Sequence, residues 1–386
     1  MAGSARPRAD LGPLTGLRVL EVATLYSAPQ IATMLGDLGA DVVKVEPPAG
    51  DPLRGMGQQR SGRSVPWELV GRNKRSVVLD LDDAGGEDRA TFRQLVAAAD
   101  VLVENLPHEA RARWGCAYED LAGANPSVIV VSVSCYGRSG PYAERPGAGT
   151  LAEAFAGLTS MTGEADGPPM LASVAIGDTL TAFAGVIGAL SACWSRDAHG
   201  GPGRLVDVSM YEPILAIMAA TIAGWDGASA PPRRSGSRVP GGAPRNVYRT
   251  RDGRYVAVSG TTDPQVARLL ELMGRTSAED RARFARAADR LRSADELDDL
   301  VAAWVAERDR ADVVDALLGA RVGVSPVNDV ADLLADPHVT ARGSLVQGEV
   351  AVVPAALPAM SGARRDPRPA PALDADRAAV LEEWLA

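Results

Sequence analysis

Residues 127–135 contain Val128-Ile129-Val130-Val131 followed by Val133, an apolar run with no alternation of polar and apolar positions. A strand of that pattern has to be covered on both faces, which places it inside a parallel sheet flanked by helices. Four more β-like runs, at 17–23, 40–46, 75–81 and 99–105, lie in the first third of the chain. Between them stand helical patterns at 29–39, 86–99 and 117–125. The first of these helices has Pro29 in its opening turn and Gly39 at its end, the expected punctuation of a helix. Strands alternating with helices in this way imply βαβ units, and so a Rossmann-like, doubly wound α/β fold.

The pattern turns helical after residue 147, with expected helices at 150–162, 179–196 and 212–225. Residues 227–244 are dense in Gly, Pro, Ser and Arg and read as a loop or linker. A second unit follows, with a strand at 254–259 and helices at 264–273, 278–291, 295–308 and 311–318. A Pro-rich stretch at 363–372 reads as an extended crossing segment ahead of a C-terminal helix at 374–385.

A chain of 386 residues, 46% hydrophobic and 23% charged, is long enough for two domains and ordinary in composition. The net charge of −9 argues against nucleic-acid binding, which needs a basic face. Cys116, Cys135 and Cys193 follow no metal-ligand spacing, and His108, His199 and His338 are scattered. No metal site is therefore expected, and the thiols are expected to be reduced and mostly buried in a cytoplasmic protein. The N-terminus shows no apolar signal segment, and the apolar stretches at 182–194 and 213–225 fall short of the ~18 residues a membrane span needs. A soluble protein is expected. Only two of the 40 basic residues, Lys44 and Lys74, are lysines.

The doubly wound start invites a dinucleotide site, but the turn after the first strand reads Ala23-Thr24-Leu25-Tyr26-Ser27-Ala28-Pro29. It lacks the glycines that let backbone approach a pyrophosphate, so Glu46 at the end of the second strand is weak evidence for nicotinamide or flavin binding.

The sharpest local feature is Ile176-Gly177-Asp178-Thr179 ahead of a long apolar helix. Asp178 is placed as that helix's N-cap, a structural role satisfied by accepting first-turn N–H groups. The same geometry would hold an ionised carboxylate at a positive helix end, with Gly177 leaving room for a substrate. Such a carboxylate is a competent nucleophile toward an activated acyl group. Both readings stand at this point.

Here the chain resembles the class III coenzyme A transferases (CaiB/BaiF type), the family of formyl-, carnitine- and succinyl-CoA transferases and α-methylacyl-CoA racemase. The resemblance runs through Gly16-Leu17-Arg18-Val19-Leu20-Glu21-Val22, Ser27-Ala28-Pro29 and Leu38-Gly39-Ala40-Asp41-Val42-Val43-Lys44-Val45-Glu46-Pro47-Pro48. It continues through Asn73-Lys74-Arg75-Ser76, Val101-Leu102-Val103-Glu104-Asn105, Gly137-Arg138-Ser139-Gly140-Pro141, Gly177-Asp178 and Gly203-Arg204-Leu205-Val206-Asp207-Val208. It implies an acyl-CoA:carboxylate CoA-transferase in which Asp178 is the covalent nucleophile. CoA or acyl-CoA would be a substrate, with no permanently bound cofactor. It also implies a large domain (1–225, completed by 345–386), a small domain (235–332), linkers at 226–234 and 333–344, and an interlocked homodimer.

CoA contacts are expected from Tyr26 and Ser27 in the first βα turn, from Leu79 near the end of a strand, and from Asn105, Leu106 and Pro107 at the carboxyl end of the fourth. Arg113 suits a phosphate, and its alternative is a solvated surface arginine; Tyr26 as a half-buried aromatic is the alternative for that residue. Gly147, Ala148 and Gly149 are also expected to line the CoA site; they fall where the racemase branch has a Gly-His-Asp triplet, and Gly149 where formyl-CoA transferase has a glutamate. The missing histidine disfavours racemisation; the missing glutamate, and a Gly241-Gly242 pair in place of that enzyme's four-glycine loop, disfavour oxalate, and the small side chains at Ala148 and Gly149 suit a bulkier acyl group. Alternatives on the same scaffold are a racemase, a CoA-thioester lyase or hydrolase, and a CoA-binding protein without turnover.

Overall fold

The computed structural model describes residues 12–361 and 366–386, so the N-terminal reading and part of the stretch at 363–372 lie outside the described residues. The chain divides into two compact units. The first comprises Met1–Leu158, Leu171–Ser229 and His338–Ala386; the second comprises Thr159–Met170 and Ala230–Pro337.

The first unit is built on six strands, β1 (Arg18–Val22), β2 (Asp41–Glu46), β3 (Lys74–Val78), β4 (Val101–Glu104), β5 (Ile129–Ser134) and β6 (Leu205–Ser209). All pair in parallel, in the order β3-β2-β1-β4-β5-β6. This is the doubly wound order, and its reversal point lies between the carboxyl ends of β1 and β4. Both faces are covered, which is why the strand sequences do not alternate. Val19, Val101 and Ile129 face one core with helices α1 (Ser27–Asp37) and α7 (Ile176–His199). Leu20, Leu102 and Val130 face a second core with α3 (Glu87–Ala98) and the C-terminal helix α13 (Arg377–Leu385). The C-terminal segment also finishes the sheet edge: Asp376 accepts from the Ser76 N–H at 2.9 Å and Asp374 from the Val78 N–H at 2.7 Å.

Between these elements lie α2 (Val65–Gly71), α4 (His108–Trp114), α5 (Tyr118–Ala124), α6 (Gly149–Phe155), α8 (Glu212–Ile217) and α9 (Ala219–Gly224). Two expected helices are shorter than their periodicity suggests. The one expected at 150–162 stops at Phe155, and Gly157 beyond it takes a φ of 92° that a continuing helix cannot hold. The one at 212–225 is interrupted at Met218.

Helix α7 is longer than expected. Its 24 residues reach a mean hydropathy of 1.5 over 18 residues, enough by length and composition to cross a bilayer. One of its faces packs into the first core. A Cβ at Gly185 would lie 2.2 Å from Ile31, and one at Gly188 would lie 2.5 Å from Val206, so both glycines permit close approach to α1 and the sheet. The opposite face exposes Phe183, Ile187 and Trp194.

The second unit has a three-stranded antiparallel sheet of β7 (Arg245–Arg249), β8 (Tyr255–Ser259) and β9 (Gly323–Pro326), with β8 central. It packs against α10 (Asp263–Leu272), α11 (Ala294–Ala306) and α12 (Arg310–Gly319) through Val256, Val258, Leu269, Val301 and Val313. Only β8 was expected from sequence; its two partners were not.

Both lysines of the chain are buried in one charge cluster under the β1 end. Lys44 lies 2.6 Å from Glu21 and 2.8 Å from Asp51, and Lys74 lies 2.6 Å from the other oxygen of Glu21. Burial pulls the Lys74 ammonium down to about 8 against the attraction of Glu21. Removing one member of such a cluster strands the rest in low dielectric. Lys74→Met is expected to lower the unfolding free energy by about 3 kcal/mol, at the low end for a broken buried pair because Lys44 still faces Glu21. Urea denaturation monitored by circular dichroism measures it, and an unchanged midpoint would contradict that reading of the cluster.

Candidate active site

The turn between β1 and α1 is tied down at almost every residue. The Ala23 carbonyl accepts from Lys44 Nζ at 2.6 Å and the Pro29 carbonyl from Lys74 Nζ at 2.8 Å. The Leu25 N–H donates to Asp51 at 3.3 Å, and Leu25 itself takes a left-handed φ of 68°. Asn105, at the end of β4, uses both ends of its amide on Thr24: Oδ1 accepts from the Thr24 N–H at 3.0 Å and Nδ2 donates to the Thr24 carbonyl at 2.9 Å. Asn105 therefore clasps the two strand ends across the reversal point. The buried charge cluster and this clasp together fix where Tyr26 and Ser27 sit.

The other expected contacts fall in different settings. Ser27 is buried in the first turn of α1. Leu79 and Leu106 are buried in the second core, and their N–H groups already donate to the Glu46 carbonyl and the Glu104 carboxylate. Pro107 is exposed at the start of α4. Arg113 is half-exposed, paired with Asp82 at 3.0 Å and lying over Trp114.

Asp178 is not the N-cap. Helix α7 begins at Ile176, the N-cap is Ala175, and Asp178 is the third residue of the first turn. Its side chain makes no cap bond; it receives only its own backbone N–H, and it is half-buried. Burial, reinforced by the Glu153 carboxylate, raises this carboxyl above the usual aspartate value, and the N–H contact only partly offsets them. A raised carboxyl is a more basic, hence stronger, nucleophile once ionised.

What surrounds Asp178 comes from three other elements. A Cβ at Gly149, the first residue of α6, would lie 2.4 Å from Asp178 Oδ2 and 3.2 Å from its N. The absent side chain is what lets α6 meet this carboxylate. A Cβ at Gly177 would lie 2.8 Å from the Gly149 carbonyl, so the two helix starts touch through a glycine pair. Glu153, one turn along α6 and 1% exposed, accepts from the Gly177 N–H at 2.9 Å. Cys135, just beyond β5, is buried against Gly147, where a Cβ would come within 2.1 Å, and its thiol points to the Ala148 carbonyl at 3.9 Å. Gly147 is thus required by packing on Cys135.

The charge of Asp178 is felt by two of these neighbours. Burial first, and Asp178 second, raise the Tyr26 hydroxyl, with Arg72 opposing. Burial raises the Cys135 thiol, Asp178 adding to it against hydrogen bonds from Tyr136 and the Ala148 backbone. Tyr26, Cys135, Gly149, Glu153 and Gly177 therefore converge on Asp178. Sequence reasoning singled out Tyr26, Gly149, Gly177 and Asp178 but missed Glu153 and Cys135. Among the described residues, no group of three or more His, Cys, Asp or Glu side chains is arranged to hold a metal ion.

This arrangement, a carboxylate at the start of a core helix facing the carboxyl edge of a doubly wound sheet, has a family to match. The profile of CoA-transferase family III matches residues 14–377, and the chain belongs to that family. The chain is 36% identical over 338 residues to the succinyl-CoA–D-citramalate CoA-transferase of Chloroflexus aurantiacus, covering 86% of this chain and 83% of that protein. It is 34% identical to the acetyl-CoA:oxalate CoA-transferase of Acetobacter aceti, over 98% of each. Its fold matches the crystal structure of a CaiB/BaiF family protein from Brucella suis with a TM-score of 0.85 and 31% identity, over 97% of this chain and all of the other.

Proposed function

We propose that this protein moves coenzyme A from an acyl-CoA donor to a carboxylic acid acceptor, with Asp178 as the covalent nucleophile. The observation that supports this most is the glycine-walled, half-buried Asp178 carboxylate, made more basic by burial. An Asp178 oxygen attacks the thioester carbonyl; the C–S bond breaks, leaving a mixed anhydride and CoA thiolate. The thiolate then attacks the aspartyl carbonyl, the donor acid departs as carboxylate, and an aspartyl-CoA thioester remains. The acceptor carboxylate attacks that thioester and again releases the thiolate. Attack of the thiolate on the acceptor acyl carbon gives product and free Asp178. Each step exchanges one activated carbonyl for another without a net proton, so the scheme needs no histidine base.

Tyr26 and the strand ends near Asn105 offer the face on which CoA would lie, as ligands do at the reversal point of such sheets. One relative is named for oxalate, so a small dicarboxylate stays within the class of acceptors proposed. The donor and acceptor classes proposed here are acyl-CoA and carboxylate. The three free, buried thiols fit a reducing cytoplasm. A hydroxylamine challenge tests the reading. Activity should be lost only when hydroxylamine and acyl-CoA are present together, because the activated aspartyl carbonyl is then trapped. Full activity after that treatment would refute it.

An obligate dimer belongs to the same proposal. Phe183, Ile187 and Trp194 make an apolar stripe along α7, and Ile217 and Ile222 are exposed on α8 and α9. Light scattering on the eluting protein is expected to give about twice the 40.1 kDa chain mass at all micromolar concentrations. A mass of one chain would contradict it.

A further inference from the structure

Glu153 is a carboxylate with almost no exposure, placed where α6 crosses the start of α7. Burying such a group is unfavourable unless something holds it. What holds it is the Gly177 N–H at 2.9 Å, one residue before Asp178. Gly149 and Glu153 are four residues apart and so share a face of α6; the first touches the Asp178 carboxylate and the second touches its preceding peptide. A Cβ at Gly177 would lie 3.3 Å from Glu153 Cγ, so this contact also depends on a glycine.

We infer that Glu153 is a positioning residue for acyl transfer: it fixes the first turn of α7 through the Gly177 N–H, and its charge favours the acylated, uncharged form of Asp178 over the free carboxylate. The inference rests on Asp178 being the nucleophile. Its electrostatic basis is ordinary. Two carboxylates held together in a half-buried site repel, and acylation of one removes the repulsion. The same repulsion is one cause of the upward displacement of Asp178. The groups facing Asp178 from the packed elements are Tyr26 at the start of α1, Cys135 beyond β5 and Glu153 on α6. Arg72 acts on Tyr26 and is itself bound by Asp37 at 2.6 Å.

Glu153→Gln separates the two roles, because the amide keeps the size and an acceptor oxygen for Gly177 but removes the charge. The acid limb of kcat/KM is expected to move about one pH unit lower. The fraction of enzyme carrying an acyl adduct at equilibrium with acyl-CoA is expected to fall about tenfold. Glu153→Ala removes both roles, and kcat is expected to fall further while the Kd for free CoA stays put. Thermal melting of each variant shows that it is folded. A Gln variant with the wild-type limb and wild-type adduct level would overturn the charge role, and an Ala variant with wild-type kcat would overturn the positioning role. Failure of the nucleophile reading shows earlier and separately, as a wild-type enzyme that forms no adduct at Asp178.

Discussion

Asp178→Asn is expected to fold, bind CoA with wild-type affinity and lose turnover by roughly three or more orders of magnitude, as removal of a covalent nucleophile does. The amide preserves the shape of the side chain in its half-buried seat. It removes the repulsion from Glu153, so stability should hold or rise. What it cannot do is donate an electron pair from a carboxylate oxygen to a thioester carbon. Steady-state exchange between a labelled carboxylic acid and acyl-CoA measures this directly, and isothermal titration with CoA supplies the control. A variant that turns over within about tenfold of wild type would leave no role for an aspartyl intermediate.

Gly149→Ala is expected to be the next most damaging change to turnover while adding only a methyl group. The new Cβ would stand 2.4 Å from Asp178 Oδ2, closer than any real contact, so the carboxylate has to rotate away or α6 has to shift. Gly149 lies in the first turn of α6 and is not among the left-handed glycines, so alanine strains no backbone and slightly favours the helix. A displacement of this size in a reacting group lowers kcat by about 10²-fold. The melting temperature should move little. CoA affinity measured by titration should be unchanged, which distinguishes a misplaced nucleophile from a damaged fold. Wild-type kcat in this variant would mean that the Gly149–Asp178 contact has no bearing on catalysis.

The parallel sheet was legible because a strand buried on both faces has no polar parity, and Val128 to Val133 show none. The helix carrying Asp178 was legible too, but its start was not. Aspartate is a favoured N-cap, so local pattern set the cap at residue 178, whereas the cap of α7 stands three residues earlier at Ala175, which caps with no side chain. Glu153 carried no signal, since a glutamate in an amphipathic helix normally faces water. It is buried only because Gly149 and Gly177 let two helix starts touch, a fact of tertiary packing. Asn105 stood out in sequence only by its place at the carboxyl end of the fourth strand; that its amide is engaged with Thr24 on both sides follows from the β1–β4 adjacency, which the strand pattern does not give. The two lysines stood out by rarity alone; that they share Glu21 follows from the β1–β2–β3 adjacency, which composition cannot supply. In the second unit β7 was hidden by the Pro- and Gly-rich stretch that leads into it.

Peptide-resolved mass spectrometry of the enzyme mixed with acyl-CoA and quenched within one turnover tests most directly whether this carboxylate makes and breaks bonds. An acyl or CoA increment on the peptide containing Asp178, absent from Asp178→Asn, is the expected result. An active enzyme that never carries an increment there, or carries it on another side chain, would contradict covalent catalysis at the head of α7.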